Sequence, residues 1–203
     1  MERLLTLTPI QIFMKRLFDF VLALIIFCST FWLILLMYIV ATIDTKNGLF
    51  MQERIGQYGK KFKIIKLRTM KITASTTINA TAHNDSRITK FGRILRNTKL
   101  DELPEIINIL FGHMSFVGPR PEVPGYADKL FGEDTLILRV KPGITGPATL
   151  KYINEEKILS QQNNPQKYND KVIYPDKVKI NLDYIRHYSF TKDLYYVYKT
   201  IFK

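Results

Sequence analysis

The feature that most constrains this chain is an apolar run near its N-terminus. Residues 20–43 are 24 consecutive positions without a charged residue, a glycine or a proline. About 20 such residues suffice for a helix to cross the ~30 Å hydrocarbon core of a bilayer. The run is too long for a signal peptide, and no small-residue cleavage pattern follows it before Asp44. We therefore expect residues 1–45 to form a membrane-anchoring helix.

This helix is predicted to begin at Pro9. Thr8 is a good N-cap, proline is tolerated at the first helical position, and Gln11 completes a reciprocal capping pair with Thr8. A helix over residues 9–43 would be about 52 Å long at 1.5 Å per residue. It must therefore tilt, bend, or leave the membrane by the side that it entered.

Two paths through the membrane remain open. The uninterrupted run favours a plain span, since Ser29 and Thr30 are the only side chains able to bond back to the helix and bend it. Basic residues flank both ends, with Lys15 before the run and Lys46 after it, which gives little orientation bias for a span. A re-entrant hairpin would keep both flanks on the cytosolic side.

The charge of +12 is unevenly distributed. Residues 1–45 are neutral, residues 46–99 hold 13 basic and 2 acidic side chains, and residues 100–203 carry +1. A basic region next to a membrane segment binds anionic head groups or recruits a phosphorylated substrate; the simpler alternative is a solubilising surface. The single cysteine, Cys28, excludes a disulfide framework and fits a reducing cytosolic face.

Residues 46–203 are predicted to form one cytosolic-face catalytic domain. The segment 50–70 indicates two strands joined by a turn, the second over residues 62–69. Residues 71–84 are rich in Thr, Ala, Ser and Asn and indicate a loop. Apolar spacing predicts a helix around residues 88–95 and another from about Thr98, with Leu100, Leu103, Ile107 and Leu110 on one side. The predicted fold class is α+β, mostly helical, with a small β-hairpin and interfacial amphipathic helices.

The C-terminal segment 183–203 combines many tyrosines with lysines. This composition suits a helix lying at the level of the lipid head groups. An aromatic helix that fills the protein core is the alternative.

Asp101 and Glu102 are the most informative polar pair. They lie near the start of the predicted helix at Thr98, among Arg96, Lys99 and Arg120. Adjacent carboxylates beside fixed cations suggest phosphate chemistry, and the positive end of a helix favours both ionised acids and a phosphate. The alternative is a pair that merely complements the helix dipole.

Arg120 stands between two prolines, which restrict the backbone around it. A stiff backbone aims a guanidinium well, and a guanidinium can bind phosphate with two hydrogen bonds. A rigid surface loop is the alternative. Neither an HEXXH pattern nor a Cys/His metal spacing occurs in the sequence, so a zinc site is not expected.

Seven short motifs resemble, in order, those of the bacterial sugar transferases, the small monotopic phosphoglycosyl transferases. They are KRLFD (15–19), QERIG (52–56), KLRTM (66–70), DSRIT (85–89), LDELP (100–104), MSFVGPRP (114–121) and PGITG (142–146). One such motif would be weak evidence, whereas seven in order are specific.

The resemblance implies an enzyme that moves a sugar-1-phosphate from a UDP-sugar to a polyprenol phosphate, such as undecaprenyl phosphate, and releases UMP. It implies the cytoplasmic face of a bacterial inner membrane as the location, membrane lipids as partners, no nucleic acid, and Mg²⁺ as the cofactor. By position, Asp101 corresponds to the nucleophile and Glu102 to its metal-binding partner, with Asp101 also near the metal. Lys66, Arg96 and Arg120 correspond to the cations that bind the substrate phosphates.

The resemblance also implies that the N-terminal helix is re-entrant and broken at a Ser-Pro pair. This chain has Ser29-Thr30-Phe31 in that region. Two further departures are His113, where the family usually has Asp, and Pro147-Ala148-Thr149, where it commonly has an aromatic residue followed by Ala-Gln.

The chemistry itself favours a covalent route. A phosphate monoester with a second pKa near 6 is largely anionic at neutral pH, so the acceptor needs no general base. A carboxylate beside the diphosphate is then better used as a nucleophile, which divides one displacement between anions into two steps. We therefore predict an aspartyl-phosphosugar on Asp101.

Two other functional classes remain open from the sequence. A non-catalytic, membrane-tethered module that binds polyanions would account for the basic region 46–99. A membrane phosphatase acting on a lipid diphosphate would use the same aspartyl nucleophile but release inorganic phosphate.

Overall fold

The computed structural model describes residues 7–71 and 86–202. Over these residues the chain is mostly helical, as predicted, and has two small sheets, of which the sequence predicts only the β-hairpin. The predicted loop 71–84 lies, apart from Lys71, outside the described part. The helices are α1 (Pro9–Thr45), α2 (Lys90–Thr98), α3 (Glu105–Leu110), α4 (Pro147–Lys151), α5 (Glu155–Ser160), α6 (Pro165–Tyr168), α7 (Tyr174–Arg186) and α8 (Phe190–Ile201). The strands are β1 (Leu49–Ile55), β2 (Lys61–Leu67), β3 (Ser115–Val117) and β4 (Gly143–Thr145).

Helix α1 starts as the sequence predicts. The Thr8 hydroxyl accepts a hydrogen bond from the Gln11 backbone N–H, and the Gln11 side chain accepts one from the Thr8 N–H. The helix then continues for 37 residues, about 55 Å at 1.5 Å per residue. It passes unbroken through Ser29 and Thr30, whose hydroxyls both donate to the Ile26 carbonyl oxygen.

One narrow face of α1 is covered by the rest of the protein. Its buried positions follow each other at intervals of four residues near each end of the helix: Lys15, Asp19, Ala23, Met37, Ala41 and Thr45. The other faces are apolar and exposed. Only 11% of an 18-residue apolar stretch of the helix is buried. By length and composition α1 could cross a membrane.

Charged residues at the start of α1 attach it to three elements of the domain. Lys15 Nζ lies 2.6 Å from Asp193 Oδ2 on α8, and both side chains are buried. Arg16 donates to two carbonyl oxygens at the C-terminal end of α3, at 2.7 and 2.8 Å. Asp19 accepts a hydrogen bond from the backbone N–H of Phe116 on β3. Because these partners are distant in sequence, the first motif acts as a structural junction.

The predicted β-hairpin is confirmed. Strands β1 and β2 are antiparallel, with Phe50 opposite Lys66. Tyr58 and Gly59 adopt positive φ angles of 58° and 72° at the connecting turn, where glycine carries little steric penalty. Asn108 on α3 holds β2 in place, since its side chain accepts from one backbone N–H of β2 and donates to a carbonyl oxygen of the same strand.

The helix predicted to start near Thr98 is interrupted. Lys99 ends α2 in the left-handed conformation, with φ 58°. Leu100–Glu102 form a single 3₁₀ turn, and α3 begins only at Glu105. Pro104 has no backbone N–H and cannot donate to the carbonyl of residue 100, so one continuous helix would lack that hydrogen bond. Asp101 and Glu102 therefore lie on a tight turn between two helices.

Two of the glycine-containing motifs, those at residues 114–121 and 142–146, are in close backbone contact with each other. Strands β3 and β4 are parallel, and their backbones continue to touch beyond β3. A Cβ on Gly143 would lie 2.1 Å from the Gly118 nitrogen, and one on Gly118 would lie 2.4 Å from the Lys141 carbonyl oxygen. Neither position has room for a side chain, so both glycines are needed for the approach that brings the loop after β3 to its place.

The C-terminal segment forms two helices, α7 and α8, with a break before Ser189, which caps α8. Tyr184 is 2% exposed and donates to Asp193 Oδ1, so for this residue the alternative of an aromatic helix in the core applies. Tyr198 and Phe202 are exposed. The segment thus supplies both core packing and an aromatic surface.

Candidate active site

The five residues predicted for the site all line one cleft of about 500 Å³. They are Lys66, Arg96, Asp101, Glu102 and Arg120. The cleft lies between the β1–β2 hairpin, α2, the 3₁₀ turn at 100–102 and the loop after β3. Among the described residues, nine Lys or Arg side chains line it against three acidic ones. This balance suits a ligand with several negative charges.

Glu102 is the centre of an ion-pair network. Its Oε1 lies 2.6 Å from Lys66 Nζ and 2.8 Å from Arg120 Nη2. Lys66 Nζ also lies 3.2 Å from Oε1 of Glu105, whose side chain is 2% exposed. One ammonium is thus shared by two carboxylates. The pairing holds Lys66 and Arg120 in position at the cleft before any ligand arrives.

The loop after β3 positions Arg120. Gly118 and Pro119 are bonded to the region of β4, with Gly118 donating to the Thr145 carbonyl and Pro119 accepting from the Gly143 N–H, each at 2.9 Å. Arg54 on β1 donates to the Pro121 carbonyl at 3.1 Å. The backbone before and after Arg120 is therefore held by hydrogen bonds, which fits the stiff loop that the two prolines predict.

Arg96 is held by the residues that follow β2. Its Nε donates to Thr69 Oγ1 at 2.8 Å, and its Nη2 contacts Met70 Sδ at 3.4 Å. Helix α2 reaches this position because Gly92 lies directly on the backbone of Thr69, where a Cβ would be 2.1 Å from the carbonyl oxygen. The glycine thus brings Arg96 to the edge of the cleft.

Asp101 differs from Glu102 in its partners. Its Oδ1 is buried and has no hydrogen-bond partner among the described residues. Burial raises the pKa of Asp101, and the Glu102 charge raises it further, above the usual 3.8. The nearby charges of Lys66, Arg96 and Lys99 act in the opposite direction. One oxygen of the Asp101 carboxyl group is therefore buried without a hydrogen-bond partner, and three cations lie near the group.

The pKa of the Glu102 carboxyl is shifted in the opposite direction, below its usual value. Burial favours its neutral form, but the charges and hydrogen bonds of Arg120 and Lys66 outweigh burial and hold its pKa well below the usual range. Glu102 is thus ionised throughout the neutral range. Two adjacent carboxylates consequently differ, since one is held in ion pairs and the other has a buried oxygen without a hydrogen-bond partner, which is typical of a site where they have different roles.

Sequence reasoning missed Glu105 and Arg54. Glu105 is 1% exposed, and burial raises its pKa above 4.5. It lies four residues after Asp101, a spacing that places two side chains on one side of a helix and could have identified it. Arg54 belongs to a strand that pairs with the strand of Lys66, but no local spacing in the sequence connects it with Arg120.

The side chains present are compatible with Mg²⁺ when a ligand supplies further oxygens. Magnesium is commonly bound by one or two carboxylates together with substrate phosphates and water. Asp101 and Glu102 are two adjacent carboxylates, and Asp101 has a buried oxygen without a partner. No cluster of three or more His, Cys, Asp or Glu occurs in the described ranges, so phosphate oxygens would have to complete the coordination.

Comparisons with known proteins agree with this geometry. The family model for bacterial sugar transferases matches residues 10–203. The UDP-glucose:undecaprenyl-phosphate glucose-1-phosphate transferase of Escherichia coli (strain K12) is 38% identical over 160 residues, covering 76% of this chain and 32% of that protein. The Klebsiella pneumoniae protein of the same name is 37% identical over 207 residues, covering 97% of this chain and 41% of that protein.

A shorter relative matches along most of its length. The exopolysaccharide production protein ExoY of Rhizobium meliloti (strain 1021) is 32% identical over 212 residues, covering 95% of this chain and 86% of that protein. The chain spans about a third of the first of the two longer relatives and about two fifths of the second. On the family match and on these relatives, the chain belongs to the bacterial sugar transferase family.

Proposed function

We propose that this chain transfers a sugar-1-phosphate from a UDP-sugar to a polyprenol phosphate, such as undecaprenyl phosphate, through a covalent intermediate on Asp101. The observation that carries the proposal is the buried, unpartnered Oδ1 of Asp101 in a cleft lined with cations. The names of the E. coli and Klebsiella relatives support the donor and acceptor classes. The reaction would be a first membrane step of bacterial glycoconjugate assembly.

In the first step an Asp101 carboxylate oxygen attacks the phosphorus that bears the sugar. A bond forms between that oxygen and phosphorus, and the bond between the same phosphorus and the bridging oxygen breaks. UMP departs with the bonding electron pair. Attack of an anion on a diphosphate is opposed by charge repulsion, so Lys66, Arg96 and Arg120 are needed to lower the barrier.

In the second step a phosphate oxygen of the polyprenol phosphate attacks the same phosphorus. The bond to Asp101 breaks, the carboxylate is regenerated, and the product is a polyprenyl diphosphosugar. The acceptor is already largely ionised near neutral pH, so no proton has to be removed. This is consistent with a cleft lined by cations and carboxylates, in whose described part no histidine occurs.

Glu102 has a different role from Asp101. Its Oε1 is engaged by Lys66 and Arg120, so it orients both cations toward the cleft. Glu102 and Asp101 would together hold Mg²⁺. When bound, the ion would neutralise charge on the diphosphate and on the departing UMP.

Residues 1–45 would act as the membrane anchor, and residues 46–203 as the catalytic domain on the cytoplasmic face of the inner membrane. A re-entrant path would require α1, which is continuous in this structure, to bend within the membrane. Such a path is favoured because Lys15 near one end and Thr45 at the other are both buried by the rest of the protein. Their separation of 30 residues corresponds to about 45 Å of helix, more than the ~30 Å hydrocarbon core. A straight span would therefore place the two ends on opposite sides of the membrane, whereas a re-entrant path keeps both on the side of the catalytic domain.

The exposed aromatic side chains of α8 fit this arrangement. Tyr195 and Tyr198 on α8, and Phe202 directly after it, are more than half exposed, and such residues are favoured at the level of lipid head groups. Helix α8 is tied to the start of α1 by the Lys15–Asp193 ion pair, so both would lie at the same membrane surface.

UMP release tests the proposed reaction. Purified protein is incubated with a panel of UDP-sugars, Mg²⁺ and undecaprenyl phosphate, and UMP, inorganic phosphate and lipid-linked sugar are measured. We expect equal amounts of UMP and lipid-linked sugar with at least one donor. Asp101→Asn should abolish both products, whereas the control Asp183→Asn, an exposed carboxylate on α7, should not. Chelation of Mg²⁺ should stop turnover in the active variants.

The same assay distinguishes the other functional classes. Inorganic phosphate released from a lipid diphosphate without UMP would indicate the phosphatase. Tight binding of nucleic acid or other polyanions without any turnover would indicate the binding module. Normal UMP release by Asp101→Asn would contradict the assignment of the nucleophile.

A further inference from the structure

The apolar surface of α1 meets the catalytic cleft at the start of β1. Gly48, which precedes β1, lies directly on the last turns of α1: a Cβ there would be 2.3 Å from Thr42 Oγ1 and 2.5 Å from the Tyr38 carbonyl oxygen. There is no room for a side chain at position 48. The end of the anchoring helix and the first residues of the cleft wall are therefore in direct contact.

Two apolar residues at this junction line the cleft. Phe50 is opposite Lys66 in the hairpin, and Lys66 binds Glu102. Met51 follows it and is 54% exposed, although it stands in a cleft dominated by cations. Ile43, in the last turn of α1, is 79% exposed. Exposed apolar side chains are therefore present both on the last turn of the helix and in the wall of the cleft that contains Glu102.

The other apolar residues of the cleft are engaged within the protein. Leu67 is 2% and Ile88 9% exposed, and the sulfur of Met70 contacts Arg96. The Phe50 ring is held under the Arg68 guanidinium, 5.6 Å from the ring centre. Among the described residues of the cleft, Met51 is thus the apolar side chain most available to a ligand.

We propose that Met51 forms the contact surface for the isoprene units next to the phosphate of the polyprenol acceptor. The inference rests on the proposed function and adds the acceptor subsite to it. The acceptor's phosphate must reach Asp101 while its hydrocarbon tail stays out of water, and exposing apolar surface costs about 25 cal/mol per Å². An exposed apolar side chain in the cleft wall, close to the end of α1, meets both requirements.

A UDP-sugar offers no hydrocarbon chain that would use this surface. The donor's sugar and diphosphate are polar, and the cations of the cleft suffice for its phosphates. A contact with the acceptor alone has a kinetic signature, because the donor reacts in the first step and the acceptor in the second. Changing Met51 should therefore impair the second step and spare the first.

Met51→Gln, which keeps the length of the side chain but makes it polar, tests this inference. Its matched control is Ile94→Gln, since Ile94 on α2 is 59% exposed and does not line the cleft. UMP release without acceptor reports the first step. The KM for undecaprenyl phosphate at saturating donor reports the second, and flotation with vesicles reports membrane binding.

For Met51→Gln we expect a rise of about fivefold in the acceptor KM, the effect of losing roughly 40 Å² of apolar contact. The first step, the KM for the UDP-sugar and vesicle binding should stay at wild-type values. Met51→Leu should restore the acceptor KM. Ile94→Gln should behave as the wild type.

Other outcomes overturn the inference. An unchanged acceptor KM, or an equal change in Ile94→Gln, would show that Met51 does not contact the acceptor. A raised KM for the UDP-sugar would assign the surface to the donor, and weaker flotation would make Met51 a general membrane contact. If the wild-type chain releases no UMP with any donor, the proposed function fails, and this inference fails with it.

Discussion

Lys66 offers a sharp test of the site because it is the shared cation of two buried carboxylates. In the variant Lys66→Met the aliphatic part of the side chain is kept, but Glu105, 2% exposed, loses the ammonium 3.2 Å away. Glu102 retains Arg120 at 2.8 Å. Removal of one partner from a buried ion pair costs about 3 to 5 kcal/mol. We expect about 3 kcal/mol, since part of the network remains.

Thermal unfolding in detergent measures this loss. For a chain of about 200 residues, 1 kcal/mol lowers Tm by roughly 2–4 °C, so Lys66→Met should lower Tm by about 6–12 °C. The matched control is Lys61→Met on the same strand, which breaks an exposed ion pair with Glu53 of 2.8 Å. That change should cost under about 1 kcal/mol, because exposed pairs contribute little.

Neutralising the orphaned acid should restore stability. Glu105→Gln in the Lys66→Met background removes the uncompensated charge, so the two changes should be strongly non-additive. The sign of the pH dependence follows from Glu105, whose pKa in the folded protein lies above its ordinary 4.5. Without Lys66 that pKa rises further, so the destabilisation grows as the pH rises above 4.5 and shrinks as it falls towards 4.5.

Two results would refute this reasoning. If Lys66→Met and Lys61→Met lowered Tm by the same small amount, Lys66 would not compensate a buried acid. If Glu105→Gln added its own full cost to that of Lys66→Met, the two side chains would not interact.

Three further predictions concern single positions. Arg120→Lys keeps the charge but loses the planar fork, so kcat/KM should fall about 10- to 100-fold with a Tm change of only a few degrees, measured by UMP release and thermal unfolding. Because the pKa of Asp101 is raised, its reactive carboxylate is lost as the pH falls; the acid limb of the first-step rate should have its midpoint above 3.8. Gly92→Ala should lower stability by about 2 kcal/mol, since the new Cβ would lie 2.1 Å from the Thr69 carbonyl oxygen; at an ordinary helix position the same change is stabilising.

Local patterns were sufficient to predict several elements. The Thr8–Gln11 capping pair and the hairpin with its turn at Gly59 depend on neighbouring residues, and both are present. The five predicted site residues also lie in one cleft. Capping and turn formation are short-range effects, which is why they can be read from a single sequence.

The interrupted helix could not be predicted in the same way. The left-handed conformation of Lys99 is uncommon for a residue with a side chain, and no local signal requires it. It becomes favourable only when α2 is held on Thr69 by Gly92 and α3 is held on β2 by Asn108. The turn that presents Asp101 is thus a product of packing between elements distant in sequence.

The buried ion pair of Lys15 with Asp193 could not be predicted from the sequence for the same reason. The sequence presents Lys15 as a flanking charge of the membrane helix, but its partner lies 178 residues away in the chain. Similarly, the sequence presents Arg54 as part of a basic region, but it donates to the Pro121 carbonyl and so fixes the loop of Arg120. Such roles depend on tertiary contacts that spacing in one sequence does not encode.

The most direct test of the central claim is the intact mass of the protein after incubation with a UDP-sugar and Mg²⁺ in the absence of acceptor. The account predicts an added mass of one sugar phosphate per chain, matched by one released UMP, mapped to Asp101 by peptide analysis and lost again when undecaprenyl phosphate is added. UMP release without any adduct on the rapidly quenched protein, or an adduct that persists in Asp101→Asn, would contradict it.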